Sequence, residues 1–141
     1  MARFYKYICM LIVLLILSTA CQNEGDIGDF YGQWALKKSC VNEEVKEHDN
    51  LYFSFQGKVV WAKRANAVGH TYSDVFGGFI HQGDSLFMYF IQQNEVTSPK
   101  TLIEKEFGFA DCENVRVQIR TLNASELFLV SGDNYWQFKK H

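Results

Sequence analysis

Hydrophobic and polar residues alternate along most of this chain, in short runs divided by turn-forming residues about every eight to twelve positions. A period of two is that of a β-strand with one buried face. The alternation predicts strands over residues 31–39, 51–56, 58–64, 73–82, 86–92, 114–122, 126–131 and 135–140. In the second, Leu51, Phe53 and Phe55 share one face while Tyr52, Ser54 and Gln56 share the other. In the sixth, Val115, Val117 and Ile119 face in, and Arg116, Gln118 and Arg120 face out. The run 86–92 (LFMYFIQ) is apolar on both faces. It predicts a strand covered twice, by the core and by a helix or the N-terminal segment.

Breakers and caps place the remaining elements. Gly77-Gly78 interrupts the fourth strand and predicts a bulge or sharp bend. Gln82-Gly83-Asp84-Ser85 reads as a tight hairpin turn. Thr101-x-x-Glu104 fits a capping box and predicts one short helix over 102–107. Glu43-Glu44-Val45-Lys46-Glu47 reads as a solvated loop. Nearly all connections are short, so the expected fold is an all-β, antiparallel up-and-down barrel of eight strands, whose closure leaves no bare sheet edge.

The N-terminus breaks this pattern. Residues 8–17 (ICMLIVLLIL) form an unbroken apolar run behind Arg3 and Lys6 and ahead of Ser18, Thr19 and Ala20. The run is shorter than the ~20 residues that span a bilayer, so it reads as a signal helix for export. The junction Leu17-Ser18-Thr19-Ala20-Cys21 resembles the lipobox of bacterial lipoprotein signal peptides, with the leucine one position nearer the cysteine than usual. The resemblance implies cleavage before Cys21, acylation of that cysteine with palmitate-type chains, and attachment to a bilayer. Gln22 after the cysteine implies the outer membrane of a Gram-negative envelope. The expected organisation is a signal peptide over 1–20, a flexible acidic tether over 21–30 carrying Glu24, Asp26 and Asp29, and a barrel domain over 31–141.

Removing residues 1–20 takes away Arg3 and Lys6 and leaves 12 basic against 16 acidic residues, a net charge of about −4. No basic stripe runs along any strand, which argues against nucleic acid as a partner. Nineteen aromatic residues remain after Phe4, Tyr5 and Tyr7 leave, enough for a substantial core. Cys40 and Cys112 are the two other cysteines of the exported part. Outside the cytoplasm they are candidates for a disulfide, which closes a loop of about 70 residues and adds on the order of 4 kcal/mol. The alternative is two unpaired thiols.

Catalytic constellations are absent from the sequence. It holds no Gly-x-Ser-x-Gly, no phosphate-cradling glycine loop and no His-Glu-x-x-His. His48 lies in a charged stretch, His141 is terminal, and His70 and His81 read as solvated or structural. Glu104, Glu106, Asp111 and Glu113 form an acidic cluster without the glycine-punctuated loop of a calcium site. No catalytic residue, metal or cofactor is expected, and the chain does not read as an enzyme.

Tyr31-Gly32-Gln33-Trp34-Ala35-Leu36 carries a Gly-x-Trp pattern that resembles the first strand of lipocalin and calycin barrels. The resemblance implies that Gly32 permits a bend and that Trp34 packs across the closed end. The last strand, Tyr135-Trp136-Gln137-Phe138-Lys139-Lys140, is similar to the closing strand of small lipocalin-like lipoproteins of Gram-negative bacteria. The later arginine of the lipocalin pattern is not evident. The implied function is an anchored barrel that binds a small apolar or amphipathic ligand, with Phe53, Phe55, Trp61, Phe87 and Tyr89 lining or filling its interior. A Gly-Gln-Trp first strand in a small single-disulfide barrel also resembles bacterial metalloprotease inhibitors. That implies the alternative, a protein-interaction module that inhibits an envelope or secreted hydrolase. A hollow interior favours the first reading and a filled one the second.

Overall fold

The computed structural model describes residues 27–91 and 97–141, with Arg3, Tyr5, Tyr7 and Ile8 ahead of them. The expected signal helix, the acylation site Cys21 and most of the tether lie outside the described residues. No described helix is long and apolar enough to cross a membrane.

The alternating segments form nine strands: β1 (Gly32–Val41), β2 (Glu44–Glu47), β3 (Leu51–Gln56), β4 (Val59–Ala65), β5 (Tyr72–Gln82), β6 (Ser85–Ile91), β7 (Val115–Leu122), β8 (Glu126–Ser131) and β9 (Asn134–Lys140). Strands β3 to β9 pair in chain order, and β1 joins β3 on one side and β9 on the other. All these pairings are antiparallel, so β1 and β3–β9 close the eight-stranded barrel. Strand β2 stands outside this ring. It pairs with the second half of β1 (Lys38 with Glu47, Val41 with Glu44), while β3 takes the first half (Gly32 with Phe55, Ala35 with Tyr52).

Three sequence expectations need correction here. Of residues 43–47, Glu44–Glu47 are a strand rather than a loop, because Asn42 and Glu43 both take positive φ (53° and 67°) and make a two-residue hairpin turn. The pair Gly77-Gly78 causes no bulge, since β5 keeps an unbroken register with β4 and β6. A Cβ on Gly77 would strike the Tyr89 carbonyl, and one on Gly78 would strike the Tyr89 ring, so these glycines permit the close approach of β6. The actual register shifts fall between Leu36 and Lys38 and between Ile119 and Thr121. The helical segment is Lys100–Glu106, wound in wide π-type turns, with Pro99 at its start and no capping hydrogen bond from Thr101.

The barrel is filled from within. Trp34, Phe53, Val60, Ala62, Met88 and Leu129 are all fully buried and come from five of the eight wall strands. The segment between β6 and β7 adds Leu102, Ile103, Phe107 and Phe109 to the same cluster.

Candidate functional site

One end of the barrel is sealed by the chain that enters it. Phe30, in the short turn Gly28–Phe30, is fully buried and packs its ring against Phe55, Phe79 and His81 at 5.0, 5.9 and 4.9 Å. The folded unit therefore reaches back into the stretch expected to be tether. Trp34 Nε1 donates to the Phe30 carbonyl at 2.9 Å. Above the Trp34 ring, at 4.2 Å, lies the Lys140 ammonium, a cation–π contact. Lys140 also donates to the carbonyls of Asp29 (3.0 Å) and Tyr31. Burial lowers its pKa, and the Asp29 carboxylate partly opposes the shift. Gly32 has φ +111°, and a Cβ there would lie 3.3 Å from Lys140 Nζ. The Gly-x-Trp motif is thus a bend, a ring and a space for the cation. A search for arginine misses that cation because the residue is lysine.

The opposite end is closed by the β6–β7 connection. Phe107 stacks on Phe53 at 4.5 Å with the rings 6° apart. Phe109 stacks on Trp136 at 4.3 Å. Trp136 Nε1 donates to the Phe107 carbonyl at 2.7 Å. Arg64 on β4 holds the segment from the wall, with Nη1 2.8 Å from Glu106 Oε1 and Nη2 3.2 Å from Ser73 Oγ. Over this plug opens a cleft of about 480 Å³. Its floor is Phe107, Phe109 and Trp136; its rim carries Lys46, Glu44 and Arg116. The β1–β2 hairpin, unseen in the sequence, builds one wall.

Ser39 in this cleft is 3 % exposed, and its Oγ lies 2.8 Å from His48 Nε2. Burial lowers the His48 pKa; the Lys46 charge lowers it further and Asp49 opposes both. A serine and a neutral histidine are two parts of a nucleophile–base pair, but no carboxylate bonds the second ring nitrogen among the described residues. The other histidines are scattered. His70 sits in the β4–β5 connection at the plugged end, whereas His81 bonds the Gly83 carbonyl (2.7 Å) at the sealed end. His141 packs at a tilt against the Tyr52 ring at 5.3 Å.

The anticipated disulfide is not formed; both cysteines are free. Cys40 pairs with Val45 and Tyr135 on β1, a position out of phase with inward-facing Ser39 and Trp136, while Cys112 is buried beside the plug. Glu104, Asp111 and Cys112 place ligand-type atoms within 4.8 Å of one another. Glu104 is already used, accepting the Cys112 backbone N–H at 3.1 Å. Burial first, then Glu104, pushes the Cys112 thiol up to about 11, so it stays protonated. Glu106 serves Arg64, and Glu113 is exposed.

Of the five expected interior aromatics, only Phe53 and Phe55 face in. Trp61, Phe87 and Tyr89 lie on the outer surface, in antiphase with Val60, Ala62, Leu86, Met88 and Phe90. Sequence parity misassigns them because β4 and β6 carry apolar residues on both faces. Among the described residues no element covers the outer face of β6, against the expectation for 86–92. Arg116, Gln118 and Arg120 are exposed, as read.

A closed eight-stranded barrel with this sealed end defines the lipocalin-like class. The family model for the lipocalin-like domain matches residues 14–141, and the chain belongs to that family. A lipocalin-like protein from Bacteroides uniformis is similar in structure, with TM-score 0.67 and 18% identity over 81% of this chain and 100% of that one. An uncharacterized protein from Bacteroides eggerthii gives TM-score 0.65 and 17% identity over 79% of this chain and 99% of that one. No curated protein matches the sequence.

Proposed function

We propose that this chain is a lipid-anchored protein of the bacterial envelope, attached to the outer membrane through Cys21, that binds a small amphipathic molecule at the plugged end of its barrel. The carrying observation is the cleft of about 480 Å³ above Phe107 and Phe109, a size suited to a small organic ligand. Its lining sets the edges of the Phe107, Phe109 and Trp136 rings beside charged groups at Lys46, Glu44, Asp111 and Arg116, a mixture that matches an amphipathic ligand with a strongly polar end. The barrel interior is not the site in this state, because the plug's own aromatic rings occupy it.

The test is native mass spectrometry of protein purified from its own envelope, with a fluorescent-lipid titration read through the emission of the lipid probe. Saturable uptake that Ala110→Trp weakens supports the reading; no bound species and no uptake would sink it. For the anchor, Cys21→Ser should abolish acylation and release the protein from membranes; a variant that still fractionates as wild type refutes anchoring through that residue. The filled interior favours the second reading, a protein-interaction module such as a hydrolase inhibitor, which the absence of small-ligand uptake would promote.

A further inference from the structure

The outer face of β4, β5 and β6 carries an apolar strip that the closed barrel does not need. Trp61 and Phe76 pack edge to face at 5.0 Å, and Phe87 lies 6.0 Å from Tyr89. Val59, Ile80 and Ile91 extend the strip and are exposed at 40%, 53% and 56%. Single exposed apolar residues are ordinary, but a contiguous strip on three neighbouring strands marks a contact surface. Its rim is basic although the exported chain is acidic. Lys58 lines the central hollow beside Trp61, Lys63 Nζ stands 5.7 Å over the Trp61 ring, and Arg116 stands 5.0 Å over Phe87. Asp74, opposite Lys63, and Asp84 in the β5–β6 turn are the acidic groups near it. Aromatic rings fringed by long cationic side chains are the composition favoured at a membrane–water boundary, where rings sit at headgroup level and ammonium groups reach the phosphates.

The entry point of the chain selects the occupant. Tyr31 lines one surface hollow together with Trp61 and Lys63. The start of the first strand therefore lies beside the strip. Cys21 lies six residues before Ile27, a reach of about 20 Å when fully extended.

We infer that the β4–β6 outer face docks on the surface of the anionic bilayer to which the chain is tethered, so that the barrel lies on its side with the cleft opening along the membrane plane. This rests on the anchoring part of the proposed function. The test uses the full-length protein, processed in its host and reconstituted in vesicles of phosphatidylethanolamine and phosphatidylglycerol with brominated acyl chains. Trp34 and Trp136 are 0% and 2% exposed, so lipid quenching of tryptophan emission reports on Trp61. Docking predicts a quenched component that Trp61→Phe eliminates, that Ile91→Ser and Lys63→Glu diminish with unchanged circular dichroism and melting temperature, and that weakens when phosphatidylglycerol is omitted. Mass spectrometry of the N-terminal peptide scores acylation separately. Acylated, vesicle-bound protein without quenching overturns the docking and leaves the anchor intact. Quenching of a non-acylated chain overturns the anchor and leaves the docking. Neither acylation nor quenching overturns both. A concentration-dependent blue shift of Trp61 without lipid, removed by Ile91→Ser, assigns the strip to a second copy of this chain instead.

Discussion

Phe107→Ala tests whether the β6–β7 connection is the packing that fills the barrel. Phe107 is fully buried and lies flat against Phe53 at 4.5 Å. Truncating a buried phenylalanine costs about 3–5 kcal/mol, the lost transfer energy plus the cavity left behind. The stacked geometry places this site toward the upper half, since such pairs add about 0.5–1.5 kcal/mol beyond buried area. The Trp136 hydrogen bond ends on the Phe107 backbone carbonyl, so alanine retains it and the loss is one of packing alone. About 4 kcal/mol is a large share of the ~5–15 kcal/mol that holds a typical domain. With a urea slope of ~2 kcal/mol/M, the unfolding midpoint should fall by ~2 M at unchanged slope. The variant should also gain a site. A benzene-sized apolar ligand at a hundred times its Kd should restore about 2.7 kcal/mol. The assay is urea unfolding followed by far-ultraviolet circular dichroism, with and without the ligand. A loss under about 1 kcal/mol, with no ligand rescue, refutes the claim that this ring packs the interior.

At the sealed end, Trp34→Ala should cost about 3–5 kcal/mol in the same unfolding assay, because the ring is fully buried under Lys140. At mildly alkaline pH, a thiol reagent should modify Cys40 in the native protein and reach Cys112 only on unfolding, since the latter is buried with its pKa pushed up to about 11; equal rates, or no free thiol at all, contradict this. His48 has a lowered pKa, so the folded state disfavours its protonation. The unfolded chain takes up the proton near the ordinary 6.5, and stability present above that pH is lost as the pH falls below it. His48→Gln should flatten the decline in melting temperature between neutral pH and about pH 5, and an unchanged decline would exclude His48 as its source.

The fold was legible because a barrel wall with one buried face writes itself as alternation. Residues 51–56 and 126–131 were bounded correctly from period two and turn residues alone. Gly32 and Trp34 were legible as the sealed end only through the resemblance of their motif to the first strand of lipocalin barrels. The candidate site was much less legible. Its floor comes from Phe107 and Phe109, which look in sequence like the end of an ordinary helix, and its wall from a strand turned by Asn42-Glu43 without glycine. No local pattern states that a connection folds back into the barrel; only the closed sheet brings Phe107 and Phe109 into one cluster with Phe53, Trp136 and Phe138.

Parity marks the same limit. Where polar residues alternate cleanly, as in Arg116, Gln118 and Arg120, the outward face is fixed by the cost of burying charge. Where both faces are apolar, as in β4 and β6, hydrophobicity no longer tells inside from outside. Trp61, Phe87 and Tyr89 were then assigned by register, which puts the smaller Val60 and Ala62 inward on β4 and Leu86, Met88 and Phe90 inward on β6. The sequence by itself determined the eight wall strands and the barrel class, because each follows from local alternation, and it pointed to the sealed end through the resemblance of a short motif. Only the tertiary structure decided that the barrel is full, that its cysteines stand apart and that an aromatic strip faces outward, because each depends on which residues closure of the sheet brings to one side of the wall.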